Sequence, residues 1–332
     1  MPKILVLPPP GLRAGLFLPH VEPRLYTLGE VFMNPNEKNY TSEELAELIP
    51  GVDAAVISWG SPQFTPEVME RADSLKVIVH AAGSVKPYIT QSVFDKGVTV
   101  VSSQPAMAIS VAAMTVAMME IMLRNVVNFA VGSRSQKKWR PDGVGNPREL
   151  SGKIVGIIGA GLIGREAIRF LQPFDVKILI YDPYITDEQA AELGGKKVSL
   201  EELCAECDVI SLHAPSNDET HHMIRREHLK LIKEGAVFVN TARGAIIDHE
   251  AFLDELKTGR FSAALDVTDP EPLPEDHPFF SMDNVVLTPH ISGNTPEMVN
   301  RQGEAAVRNL ELFFSGGQPN RVISAEMFPT VA

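Results

Sequence analysis

The chain has 332 residues, 44% of them apolar and 22% charged, and a formal net charge of −12. This length suggests two domains, each with its own core. The acidic balance lacks any basic cluster, which argues against nucleic acid or an anionic membrane surface as the main partner. An anionic substrate would have to be met by a local positive group.

Met1 to Leu7 show none of the charged, apolar and cleavage regions of a signal peptide, and no apolar run reads as long enough to span a membrane. The expectation is a cytoplasmic protein. Cys204 and Cys207 form a C-x-x-C within Leu200 to Asp208, a stretch that reads as a short helix running into a buried strand. Two half-buried thiols are a simpler reading than a redox pair. No zinc-ligand spacing appears, and no metal is expected.

Residues 3–7 open as a buried strand that Pro8 to Gly11 ends in a loop. Further strands are predicted at 54–58, 76–79 and 98–101. Helices are predicted at 41–48, at 65–71 with Thr65 as N-cap and Pro66 at N1, and near 89–95. This alternation implies a parallel sheet with helices on both faces. Residues 106–131 are apolar nearly all round and read as one helix needing burial on every side, between domains and against a second subunit. Residues 132–150, with Trp139, read as a loop or arm.

The stretch from Lys153 to Arg165 reads as strand, tight turn and helix. Gly159 allows the turn, Gly161 lets the backbone approach a pyrophosphate, and Gly164 lets the helix pack close to its strand. The phosphates would sit on the free N–H groups at the start of the helix, by Leu162 and Ile163. A second strand, 176–181, ends in Asp182, at the spacing of an acid that binds the adenosine ribose and repels a 2′-phosphate. Pro183 and Tyr184 follow it with no arginine, which favours NAD over NADP. Asp182 as a cap for the next helix is the plainer alternative.

Helix and strand pairs then follow: helices near 186–193, 200–206, 226–233 and 248–258, strands at 208–212, 236–240, 262–266 and 284–287, and a last helix at 296–314. Ligands of open α/β sheets bind at strand ends, where three polar clusters stand: Asn240 to Gly244, Asp266 to Pro272, and Thr288 to Gly293. Arg243 suits a carboxylate, His290 can move a hydroxyl proton, and Glu271 can orient the histidine and balance its charge. Singly, Arg243 could cap a turn, Glu271 could be merely solvated, and His290 could be a core histidine. Their joint placement beyond the glycine turn favours a hydride-transfer site.

The strings Leu150 to Gly164, Ser211 to Pro215, Val239 to Gly244, Ala264 to Val267 with Glu271 to Pro274, and Leu287 to Ile291 resemble the D-isomer-specific 2-hydroxyacid dehydrogenases along nearly the whole chain. The resemblance implies an α/β fold of two doubly wound parallel-sheet domains. A Rossmann NAD-binding domain, 104–296, would be inserted in a flavodoxin-like substrate domain, 1–103 with 297–332. It implies Arg243, Glu271 and His290 as the catalytic set, and Asp266 near the nicotinamide carboxamide. His213, Ala214, Pro215, Thr241 and Ala242 would lie along the cofactor. Gly83, Ser84 and Val85, in the loop after the third strand, match the family's substrate-carboxylate loop, with Arg243 and His290 as the other substrate contacts.

Two departures stand out. Lys86-Pro87 occupies a place where the family often has Asp, and Ala113 one where an acid is common. Pro10 to Leu16, Ser84 to Pro87, Trp139 and Met282 are the candidate walls for the substrate side chain. The expected activity is NAD-dependent interconversion of a small D-2-hydroxy acid and its 2-oxo acid by a homodimer. The alternatives are an NAD(H)-sensing, corepressor-like binding protein, and a formate-type enzyme. The latter is disfavoured because Glu271, rather than Gln, partners His290.

Overall fold

The computed structural model of the chain describes residues 1–329 and 331. By its contacts the chain divides into two compact units, Met1–Met107 with Asn294–Ala332, and Ala108–Gly293. Each is built on its own predominantly parallel sheet.

In the first unit the elements run β1 (Lys3–Val6), α1 (Pro10–Leu16), α2 (Glu22–Leu28), β2 (Glu30–Met33), α3 (Ser42–Leu48), β3 (Ala54–Ile57), α4 (Pro66–Arg71), β4 (Val77–His80), α5 (Gln91–Asp95) and β5 (Thr99–Ser102). Strands β3 and β4 are buried at every position, which is why they read as continuous apolar runs. Thr41 and Thr65 cap α3 and α4 through their side chains, and Thr41 forms a reciprocal capping box with Glu44. Pro8 and Pro9 break the chain after β1 as expected, but the loop is shorter than the predicted Pro8 to Gly11. Pro10 is the first residue of α1, where its missing N–H costs nothing.

The chain continues through α6 (Gln104–Leu123) and α7 (Val126–Gln136). The single helix expected over 106–131 is therefore two, broken at Asn125, whose φ of 53° leaves the right-handed helical region. At 20 residues, α6 is by length and composition long and apolar enough to cross a membrane, contrary to the expectation that no run is. Its Met118, Met119, Met122 and Leu123 instead join the buried core of the second unit. Burial on every side fails for α7, which has no buried residue.

The second unit runs on through β6 (Ile154–Ile158), α8 (Leu162–Leu171), β7 (Lys177–Tyr181), α9 (Asp187–Glu192), β8 (Gly195–Lys197), α10 (Leu200–Glu206), β9 (Val209–Leu212), α11 (Arg226–Leu231), β10 (Val237–Asn240), α12 (His249–Lys257), β11 (Ser262–Leu265) and β12 (Val285–Leu287). Its seven strands lie in the order β12-β11-β10-β9-β6-β7-β8 and pair in parallel throughout. Read outward from β6, this is the doubly wound Rossmann order, with its switch point between β6 and β9. Cys204 and Cys207 are fully buried rather than half-buried. Burial pushes the Cys204 thiol up to about 12 and raises that of Cys207 too, so neither is poised for redox chemistry.

The chain closes with α13 (Pro296–Phe314) and β13 (Val322–Ile323) in the first unit. The six strands there are ordered β13-β5-β4-β3-β1-β2, the flavodoxin-like arrangement with β13 added antiparallel to β5. Helix α13 lies on α1 so closely that a Cβ at Gly303 would stand 1.7 Å from the Leu16 carbonyl oxygen. Ala306, Val307 and Leu310 fill the core beneath it.

Candidate active site

At the switch point, Gly159 has a φ of 93°, and a Cβ there would lie 2.7 Å from the Ala214 nitrogen. A Cβ at Gly164 would stand 2.1 Å from the Gly159 carbonyl oxygen, whereas one at Gly161 would meet nothing within 4 Å. Two glycines thus serve close packing, and the middle one faces open space. Gly161 caps α8 without a side-chain bond, so the amides around Leu162 and Ile163 stay free for an anion. These features fit the pyrophosphate of a dinucleotide. Arg165, which sequence reasoning passed over, adds a positive charge here: its Nε donates to the Ala160 carbonyl at 2.8 Å. Its place one residue after the third glycine was the available signal.

Asp182, one residue beyond β7, accepts the Ala160 amide on Oδ2 and the Tyr184 amide on Oδ1, both at 2.8 Å. The carboxylate is thereby tied to the glycine turn, with lone pairs left for ribose hydroxyls. Pro183 beside it is exposed. On the other side of β6, His213 is buried and shares a 2.9 Å hydrogen bond with Ser211 through Nε2. Burial pushes its pKa down to about 4, so it is neutral and offers no charge to a phosphate. Ala214 packs on Gly159, and the Pro215 carbonyl accepts from Thr220.

Strands β10, β11 and β12 end in register, with Asn240 beside Leu265 and Leu265 beside Leu287. The three polar clusters therefore leave one sheet edge side by side. The Thr241 hydroxyl is engaged within the fold, pairing with that of Thr115 of α6 at 2.8 Å. Ala242 donates its amide to Asn240 Oδ1. Arg243 is exposed and donates to the carbonyl of Ala242, and among the described residues no carboxylate pairs with it. Gly244 after it is pressed on the next loop, since a Cβ would lie 2.1 Å from the Thr268 carbonyl carbon.

The structure joins Glu271 and His290 directly, Oε1 to Nδ1 at 2.6 Å, with both side chains a little over 40% exposed. A carboxylate only accepts, so Nδ1 carries the hydrogen and Nε2 is left as the working nitrogen. His290 sits at φ 52°, an uncommon conformation for a non-glycine residue, held by its amide donating to the carbonyls of Asp266 and Thr288. Asp266 is 1% exposed and organises this turn: Oδ1 accepts from Thr288 Oγ1 at 2.5 Å and the Ile291 amide, and Oδ2 from the Ser292 amide. A cavity of about 460 Å³ opens beside the pair, lined by Asp266, Glu271, Leu273, Phe280 and His290 among others, a size usual for small-molecule sites. Arg243 stands on the neighbouring strand end and is not part of that lining.

In the first unit, Gly83, Ser84 and Val85 follow β4 in a tight loop, and among the described residues their amides have no protein acceptor. Lys86 is drawn away from the loop to the Pro329 carbonyl, at 3.1 Å. Of the candidate walls, Trp139 is fully exposed and Met282 packs on the second unit's core.

A Rossmann sheet with a dinucleotide-ready glycine turn and a histidine–carboxylate pair at its strand ends defines a class, the nicotinamide-dependent oxidoreductases. Comparison with known proteins narrows it. Residues 116–292 match the model of the D-isomer specific 2-hydroxyacid dehydrogenase NAD-binding domain. The chain is 36% identical to a D-3-phosphoglycerate dehydrogenase of Methanocaldococcus jannaschii over 87% of its own length and 55% of that protein's, so it spans about half of that relative. It is 35% identical to a hydroxypyruvate reductase of Thermotoga maritima over 85% of its own length and 92% of that protein's. A solved Pyrococcus horikoshii structure superposes with a TM-score of 0.80 at 28% identity, over 98% and 96% of the two chains. The chain belongs to the D-isomer specific 2-hydroxyacid dehydrogenase family, and its cofactor is NAD.

Proposed function

We propose that the protein interconverts a small D-2-hydroxy acid and its 2-oxo acid. The observation that carries this reading is the 2.6 Å Glu271–His290 pair beside a cavity at the strand ends of a Rossmann sheet. When bound, the cofactor would supply hydride for reduction as NADH and accept it in oxidation as NAD+. His290 Nε2 removes the hydroxyl proton in oxidation and returns it in reduction. Glu271 holds the ring through Nδ1 and balances the charge it gains. Arg243, free of any acid partner among the described residues, grips the substrate carboxylate in a two-pronged bond. The amides of Gly83, Ser84 and Val85 in the first unit, without a protein acceptor among the described residues, enter the proposal as donors to an anion in their own right. The dinucleotide contacts expected of Gly159, Gly161, Leu162, Ile163, Gly164, Asp182, Pro183, His213 to Pro215, Thr241 to Arg243, Asp266 and His290 belong to the same proposal.

NADH consumption should be followed against glyoxylate, hydroxypyruvate, phosphohydroxypyruvate and bulkier 2-oxo acids. The relatives named above make the small members of this panel the expected substrates. Silence across the whole panel would instead favour an NAD(H)-sensing binding protein.

The same reading includes a cytoplasmic homodimer formed through α6, α7 and the arm after them. Val126, Val127 and Val131 are exposed on α7, and Trp139 is wholly exposed beyond it. An apolar surface of this kind marks an interaction site. Light scattering should report twice the chain mass of 36.3 kDa; a single species at the chain mass would overturn the dimer.

A further inference from the structure

Strands β7 and β9 flank β6, so the loops that follow them stand on either side of the glycine turn. A hydrogen bond crosses between these loops, with Tyr184 Oη donating to Glu219 Oε2 at 2.7 Å. On the β7 side, the Tyr184 amide is fastened to Asp182, which is fastened in turn to the Ala160 amide of the glycine turn. On the β9 side, the Glu219 and Thr220 amides donate to Asn217 Oδ1, and the Thr220 hydroxyl donates to the Pro215 carbonyl at 2.6 Å. Glu219 is thus carried on a self-braced turn rather than a free loop. With Oε2 taken by Tyr184, its Oε1 has no partner among the described residues.

The proposed hydride transfer has no use for this pair, which stands on the loops after β7 and β9 and not on those after β11 and β12. Its position has a consequence for the dinucleotide. If Asp182 takes the adenosine ribose, the base attached to that ribose comes to the edge of the crevice between the β7 and β9 loops. An adenine presents one strong donor there, its exocyclic 6-amino group, and a fixed carboxylate with one free oxygen is its natural acceptor.

We propose that Glu219 reads the adenine of the dinucleotide through its 6-amino group, with Tyr184 as the positioning residue that holds the carboxylate in place. The inference rests on the NAD-dependent reading above and adds a base-recognition residue at the far end of the cofactor from the chemistry. A carboxylate can only accept. A hypoxanthine base carries a 6-oxo group in place of the amine, so it offers Glu219 an acceptor instead of a donor at position 6 and keeps only N1–H as a donor on that edge.

The test is calorimetric titration of the whole protein, without substrate, by NADH and by reduced nicotinamide hypoxanthine dinucleotide. The wild type should bind NADH about tenfold more tightly, the worth of one hydrogen bond to a charged group. In Glu219→Gln the carboxamide can donate to the 6-oxo group, so the preference should vanish or reverse. Tyr184→Phe should weaken NADH binding by a few-fold and keep the preference for adenine. Equal affinity of the wild type for both dinucleotides, or a preference unchanged in Glu219→Gln, would overturn the role of Glu219. A wild type that bound neither would overturn the cofactor assignment itself, and the inference with it.

Discussion

Replacing His290 by Gln lowers turnover by about 10²- to 10⁴-fold while NADH affinity stays within about twofold of the wild type. Glutamine has nearly the reach of histidine and can still donate to Glu271 Oε1, so the link now 2.6 Å long can be kept. What it lacks is a ring nitrogen that takes and returns a proton. Its amide can polarise a 2-oxo group but cannot accept the hydroxyl proton of a 2-hydroxy acid. The loss should therefore appear in kcat, in both directions of reaction. Steady-state rates with the best substrate of the panel, together with NADH binding by calorimetry, decide the point. Near wild-type turnover with tight NADH binding would remove His290 from the acid/base role and leave Glu271 and His290 as a mere structural clasp.

The elements legible in the sequence are those whose burial is one-sided or total. Strands β3, β4 and β9 are buried at every residue and read directly as apolar runs. Helix α13, Pro296–Phe314, lies over the predicted residues because Thr295 and Pro296 announce its start and its apolar face repeats at helical spacing. Strands β2 and β8 are different. They are edge strands with half-exposed residues, and nothing in Glu30–Met33 or Gly195–Lys197 distinguishes a strand from a loop until the neighbouring strand supplies its hydrogen bonds. The break at Asn125 was hidden for another reason: apolar residues continue on both sides of it, and one residue in a left-handed conformation ends a helix without a Gly or Pro to mark it.

Within the candidate site, the sequence showed which residues stand at strand ends but not where their side chains turn. Glu271 and His290 are 19 residues apart and meet because β11 and β12 are neighbours in the sheet. Thr241 ends a strand equally well, yet its hydroxyl is engaged by Thr115 of α6, a partner 126 residues away that no local pattern reveals. Asp266 illustrates the same limit. Its place one residue past β11 was legible, but the three donors that make it the organiser of the His290 turn come from Thr288, Ile291 and Ser292, and are set only when the next strand end is in position. The Tyr184–Glu219 bond spans two loops across a third strand, the kind of contact that topology alone creates.

Acidification from pH 7 to 5 should cost the fold about 2 kcal/mol at each of two buried histidines, one in either unit. His80 in β4 is fully buried, and burial pushes its pKa down to about 3 against a smaller opposing effect of the Ser84 backbone. His213 after β9 is pushed down to about 4 by the same cause. Both folded values lie below the ordinary one near 6.5, so between pH 6.5 and 4 the unfolded chain binds protons that the folded chain refuses. Stability is therefore fully present above about pH 6.5 and falls as pH drops toward the folded values. His249 and His277, joined Nε2 to Nε2 at 2.9 Å, are shifted in the same direction and add to the slope. Denaturant unfolding at pH 7 and pH 5 measures the sum. His213→Asn should lose about 2 kcal/mol less than the wild type over that interval, whatever its stability at pH 7, because asparagine has no proton to refuse. The same subtraction in His80→Asn should be independent and additive, since the two sites share no partner. An unchanged pH 7-to-5 difference in both variants would show that these rings are protonated in the folded protein after all.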